Sequence, residues 1–201
     1  MAWNQDHKQH TRDKILSSAA FLFTKEGFDN VGINDVMKNA GLTRGAFYAH
    51  FSSKAELYAE AIVAAAIKSG KKSDPSQPNA PSLEDLMKAY LSMEHRNGEA
   101  FRCPLAFLAT DISQRETPVR DAYTRVFNGF VYRLNQYLEK QTGQTNREKC
   151  MQQAVMLIGG LAIARAINND QLAEELLNAC QQALSEDLTL ATGKTTLIPD
   201  F

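Results

Sequence analysis

A chain of 201 residues has room for one large or two small domains with a real hydrophobic core. Its three cysteines, Cys103, Cys150 and Cys180, lack CxxC spacing, which argues against a disulfide scaffold or a zinc site. The formal net charge of −1 suits a polyanion-binding protein poorly until it is divided. Residues 1–72 hold ten Lys and Arg against seven Asp and Glu, giving +3, and the rest of the chain carries −4.

Three helices are expected before Leu57. From Thr11 to about Glu26, Ile15, Ala19, Leu22 and Phe23 share one face of a 3.6-residue period, and Gly27 supplies a left-handed stop. A frayed arm containing His7 and His10 precedes this helix. Their i, i+3 spacing is ligand-like but has no further ligands, so no metal or cofactor is expected. A second helix carries Ile33, Val36, Met37 and Ala40, and Gly41 ends it, allowing a sharp turn. Thr43 is placed to cap a short third helix with its hydroxyl.

In that third helix Leu42, Phe47 and Phe51 can face inward, which leaves Thr43, Arg44, Gly45, Tyr48 and His50 for an outside partner. A helix serving only the core would not carry so many donors beside a glycine. Ser53-Lys-Ala-Glu56 reads as a capping box that starts a fourth helix with Lys54 in its first turn. A cation there opposes the helix dipole and is tolerated where a phosphate sits opposite. This pattern is that of a DNA-reading helix-turn-helix.

Residues 11 to 58 closely resemble the DNA-binding region of TetR/AcrR-type transcriptional regulators. The resemblance rests on the helix ending in Lys-Glu-Gly-Phe28, the Ile33-to-Gly41 helix, and Leu42-Thr-Arg-Gly-Ala-Phe-Tyr-Ala-His-Phe51 with Ser-Ser-Lys54 after it. It implies that the Thr43–His50 helix enters the major groove, with Tyr48, His50 and Lys54 on phosphates. Asn34 is a further candidate backbone contact. Arg44 is the best base reader, since a guanidinium can pair bidentately with guanine O6 and N7.

Downstream, Ser69 to Pro81 carries half of the six prolines and reads as a loop. Ser82 caps a helix bearing Leu83, Leu86, Met87, Tyr90 and Leu91. Pro104 opens a short helix, and Thr117-Pro118 opens the longest one, running to about Gly143. Thr145 is expected to cap a helix through about Ile167, Asp170 to cap the last, and the tail from Thr189 to be loose. The result is an all-α chain of about nine helices. Residues 1–60 would form the helix-turn-helix DNA-binding domain and residues 61–201 a helical effector-binding and dimerisation domain, with a loop at 69–81 and a loose tail at 189–201.

Two features of the second half bear on mechanism. Gly159-Gly160 inside a helix costs about 1 kcal/mol at each position relative to Ala, a cost usually offset by close approach of another helix. Gly159, Gly160 and Leu161, with Leu176 and Leu184, are the expected dimer interface, since the resemblance implies a four-helix interface built from the last two helices of each subunit. The second is the aromatic and sulfur-rich set Tyr90, Met93, Phe101, Cys103, Phe107, Tyr123, Phe127, Phe130 and Met156, which suits an effector pocket.

The expected function is a ligand-responsive, sequence-specific regulator: a homodimeric repressor on a palindromic double-stranded DNA operator, released by an unknown small-molecule effector. Alternatives are a redox or electrophile sensor using Cys103 and an effector-independent DNA-binding protein. No enzyme is expected, because His95 and Cys103 lack an orienting third group. The longest apolar run, Ala154 to Ala164, is too short to span a bilayer, and a secretory apolar core is missing at the N-terminus, so no membrane partner and a cytoplasmic location are expected.

Overall fold

The computed structural model describes residues 2–72, 74–98 and 102–192, and among them are eleven α-helices and no strand. The first, α1 (Ala2–Asn30), starts well before its apolar periodicity does, so His7 and His10 lie in helix rather than in a frayed arm. Gly27, at φ +78°, is non-helical, and two helical stretches meet at the kink it makes, so regular helix stops there as expected. There follow α2 (Ile33–Asn39), α3 (Arg44–Phe47), α4 (Lys54–Lys72), α5 (Leu83–Tyr90) and α6 (Met93–Asn97). Next come α7 (Pro104–Phe107), α8 (Ala109–Ile112), α9 (Thr117–Thr142), α10 (Arg147–Ala166) and α11 (Asp170–Thr192). The two helices beyond the expected nine are α6 and α8. Each is about one turn long, too short to show a helical period.

The chain divides into two compact units. The first combines Met1–Lys71 with Arg102–Asn128, the second Lys72–Phe101 with Gly129–Phe201, so the division falls inside α9. In the first unit Ile15, Ala19, Phe23, Val36, Phe47, Phe51, Leu57 and Tyr58 share one core with Leu108, Ile112, Val119 and Ala122. The segment around α7 and α8 therefore shares the core of α1, α2 and α4.

The second unit is built on α10 and α11. A Cβ at Gly160 would lie 3.0 Å from Cys180 Sγ and 3.2 Å from Leu91 Cδ2, so this glycine lets α10 close on α11 and α5. Arg96 satisfies the end of α10, donating from Nε to the Ala164 carbonyl at 2.8 Å and from Nη2 to the Ile167 carbonyl at 2.7 Å. Its Nη1 reaches Asp170 at 2.8 Å, joining the start of α11. Lys149 and Gln153 of α10 both bind Asp187 of α11.

Several caps differ from their expected register. Asn146, not Thr145, caps α10, its Oδ1 accepting from Lys149 N at 2.9 Å, because Asn135 Oδ1 takes the Asn146 N–H. Asn169, not Asp170, caps α11. The expected loop at 69–81 begins later, since α4 runs through Lys72. Helix α11 continues through Thr192, so the first residues of the expected loose tail are helical, and residues 193–201 lie outside the described ones. No helix among the described residues is long and apolar enough to cross a membrane, and no cluster of three His, Cys, Asp or Glu there could hold a metal.

Candidate nucleic-acid interface

The turn between α2 and α3 is fixed by backbone hydrogen bonds around one left-handed residue. Gly41 sits at φ +69°, its N–H donates to the Lys38 carbonyl at 3.1 Å, and the Leu42 N–H donates to the Met37 carbonyl at 2.9 Å. These two bonds form a Schellman motif, which satisfies two orphan carbonyls while redirecting the chain. At the other end of α2, the Gly32 N–H donates to Asp35 Oδ2 at 2.8 Å, so Asp35 closes the cap from within the helix. Asn34, beside it in the first turn, is exposed.

Helix α3 separates its two faces cleanly. Phe47 is fully buried, and Phe51 stacks on it with centroids 5.8 Å apart. Thr43, Arg44, Gly45 and Tyr48 are exposed. Tyr48 is 59% accessible and meets Phe47 edge-on at 5.1 Å, an orientation that leaves its phenol in solvent. Thr43 occupies the N-cap position, yet its hydroxyl accepts no capping bond, contrary to the expected cap. The hydroxyl is left for another partner. A Cβ at Gly45 would meet nothing within 4 Å, so the fold of this chain does not require a glycine there.

The start of α4 is pinned beside α3. Ser53 Oγ accepts from Glu56 N at 3.0 Å, and the Glu56 carboxylate accepts from Ser52 N at 2.6 Å and Ser52 Oγ at 2.5 Å. The return bond thus goes to Ser52, one residue before the position a capping box would use. These bonds from Ser52 hold the Glu56 carboxyl below its ordinary pKa. The Lys54 ammonium lies 4.1 Å from the centroid of the Phe28 ring. Burial pushes its pKa down, while the carboxylate of Asp29 acts in the opposite direction. His50 is half-buried, and its Nδ1 has no hydrogen-bond partner among the described residues. Burial first, then the positive charges of Lys8 and Arg12, lower its pKa, so the ring is held neutral at physiological pH. Arg12 lies over the Phe51 ring and pairs with Glu60.

Residues 15–61 match the family model of bacterial regulatory proteins, tetR family. The HTH-type transcriptional regulator LmrA of Bacillus subtilis (strain 168) is 25% identical over 172 residues, covering 79% of this chain and 88% of that protein. Residues 15–61 are thus a TetR-type DNA-binding region. The chain is a DNA-binding transcriptional regulator, and Gly41, α2 and α3 form its helix-turn-helix. The biofilm operon icaADBC HTH-type negative transcriptional regulator IcaR of Staphylococcus aureus (strain Newman) is 31% identical over 51 residues, 25% of this chain and 27% of its own length. The reduced form of E. coli NemR shares the fold, with a TM-score of 0.72 at 18% identity over 88% of this chain and 96% of that one.

One group near the TetR-type helix-turn-helix was not visible in the sequence. Arg115 Nη1 and Nη2 hold the two oxygens of Asp29 at 2.9 and 2.6 Å, and Nη2 also reaches Asp111 Oδ1 at 2.8 Å. Tyr58 donates to Asp111 Oδ2 at 2.5 Å. Asp29 and Arg115 lie 86 positions apart, and no local pattern joins them.

The expected pocket residues are divided between the two units. In the first, Cys103 is buried at the N-cap of α7, and Phe107, Tyr123 and Phe127 are half-buried. Tyr123 donates to the Leu105 carbonyl at 2.8 Å, and burial pushes its pKa up to about 12, so it stays a neutral donor. In the second, Tyr90 faces Phe130 at 5.6 Å and His95 at 4.8 Å, Met93 is half-buried, and Met156 is exposed. Phe101 lies outside the described residues.

Among the expected dimer residues, Gly160, Leu161 and Leu184 are buried within the second unit, and Leu176 is half-buried. The exposed apolar residues of α10 and α11 are different ones: Met151, Val155, Met156, Ile163 and Leu172. Val155, Gly159 and Ile163 fall at i, i+4 and i+8, and nothing lies within 4 Å of a Cβ placed at Gly159.

Proposed function

We propose that this regulator is a homodimeric repressor that reads a palindromic operator with α3 and is released by a small-molecule effector. The observation that carries the reading is the two-faced α3. Its aromatic side is buried, and Thr43, Arg44, Gly45 and Tyr48 are turned to solvent beside the pinned start of α4. Arg44 supplies the bidentate donor for a base edge. Tyr48 and Lys54 supply phosphate contacts, with Asn34 at the flank. His50, neutral and half-buried, contributes a hydrogen bond rather than a charge. The negative regulation named for IcaR supports repression as the direction of control.

Residues 1–60 serve as the DNA-binding domain and residues 61–201 carry the effector and dimer functions in this reading. The stripe of Met151, Val155, Gly159 and Ile163, with Leu172, fits a second copy of the chain. Two copies would set their recognition helices about 34–36 Å apart, or at a longer spacing, and bring two modest basic surfaces to bear together. The Tyr90, His95 and Phe130 cluster within the second unit is the place this reading gives an effector, which acts by binding one conformer better than the other. Burial of Cys103 favours this over a thiol-sensing mechanism.

Footprinting of genomic fragments with the purified protein tests the proposal. Protected sites are expected to carry two inverted half-sites. Protein that protects no such site at low salt, with or without candidate effectors, contradicts it.

A further inference from the structure

Lys54 is the cation best placed at the start of α4 for a DNA phosphate, yet a carboxylate lies beside it. Asp29 is the strongest opposite charge acting on the ammonium, and Asp111 acts in the same sense. Despite this, Lys54 forms no salt bridge among the described residues and rests on the Phe28 ring instead. Arg115 occupies both oxygens of Asp29 in a forked pair, and its guanidinium lies 4.7 Å from the same Phe28 ring. The forked geometry is the strongest that a carboxylate can find in a side chain, so an ammonium cannot displace it easily. Asp111 is occupied as well, by Arg115 on one oxygen and the Tyr58 hydroxyl on the other.

We infer that Arg115 is a positioning residue for DNA binding: by holding Asp29 it leaves the Lys54 ammonium available to a phosphate. Without the guanidinium, the exposed Asp29 carboxylate turns to the nearest free cation, Lys54, and the phosphate contact is lost. DNA affinity thus depends on a side chain from the loop after α8, outside the helix-turn-helix. The inference rests on the reading of Lys54 as a phosphate contact.

The test measures salt-dependent binding to the palindromic duplex that the unaltered protein selects from a random pool. Lys54→Met removes one phosphate contact per subunit and should flatten the log–log salt slope by about 1.8, at about 0.9 per phosphate. Arg115→Met should flatten it by the same amount, and Arg115→Met with Asp29→Asn should restore it. In a Lys54→Met background, Arg115→Met should change the slope no further, which separates action through Lys54 from a general loss of positive charge. Arg115→Lys, which keeps a cation at the site and hence the fold, should show a smaller change in the same direction.

A merely structural role lowers the melting temperature without moving the slope, and that result overturns the inference. So do additive effects of Lys54→Met and Arg115→Met. A Lys54→Met protein with an unchanged slope overturns both the inference and the phosphate role of Lys54, while the operator reading stands. A protein that selects no duplex at all overturns the operator reading itself, and the inference falls with it.

Discussion

At Gly45 the demands of the fold and of the proposed DNA contact can be separated within one residue. Its neighbourhood is empty, and Ala is the better helix former by about 1 kcal/mol, so Gly45→Ala should leave the melting temperature unchanged or raise it. The same methyl projects from the exposed face of α3, so operator affinity should fall at least tenfold. Gel-shift titration beside thermal unfolding checks both, and unchanged affinity would remove Gly45 from the interface. His50 and His95 carry the pH dependence. Burial lowers both from the ordinary 6.5, with the Tyr90 carbonyl partly opposing this at His95. A depressed folded pKa means the unfolded chain binds the proton first, so their stabilising effect is complete above about pH 7. It is lost as pH falls through 6.5 toward the folded values. Melting temperature should therefore decline from pH 7.5 to 5.5 and decline less in His95→Gln, whereas a flat profile contradicts this.

At the scale of elements, Gly159 and Gly160 look alike in the sequence and differ in the fold. Gly160→Ala forces a methyl against Cys180 and Leu91 and should destabilise the protein by about 1–3 kcal/mol in urea unfolding. Gly159→Ala meets nothing within its own subunit, so its folding cost should be nil. Equal losses at the two sites would contradict the packing described for α10. Much of this layer was legible beforehand. The turn at Gly41, the Ser82 cap and the Pro104 start depend on local backbone chemistry, and the structure has them where the sequence indicated. The Asn146 cap was not legible, because Thr145 and Asn146 are both competent caps and the choice is made by Asn135, eleven residues away. The Arg115–Asp29 pair escaped for the same reason: its partners meet only in the folded chain. Which face of α10 stays exposed was not legible, because a helix apolar on several sides does not reveal which side its own subunit uses.

At the scale of the whole molecule, the proposed dimer would bring two copies of α3 to one operator. The exposed Val155 and Ile163 contribute little to the subunit's own core, so Val155→Asp with Ile163→Asp should leave helicity intact and yield a monomer in sedimentation analysis. That monomer should lose the palindrome, because each subunit brings only a modest positive excess to the duplex. A variant that remains dimeric would place the interface elsewhere. In the proposed complex α3 reads bases through Arg44. This reading is tested most directly by titrating the unaltered protein and Arg44→Ala against every single-base variant of the footprinted site. The unaltered protein should discriminate symmetrically, and Arg44→Ala should lose about 1–3 kcal/mol of that discrimination at one position in each half-site. Identical discrimination by both proteins at every position would contradict it.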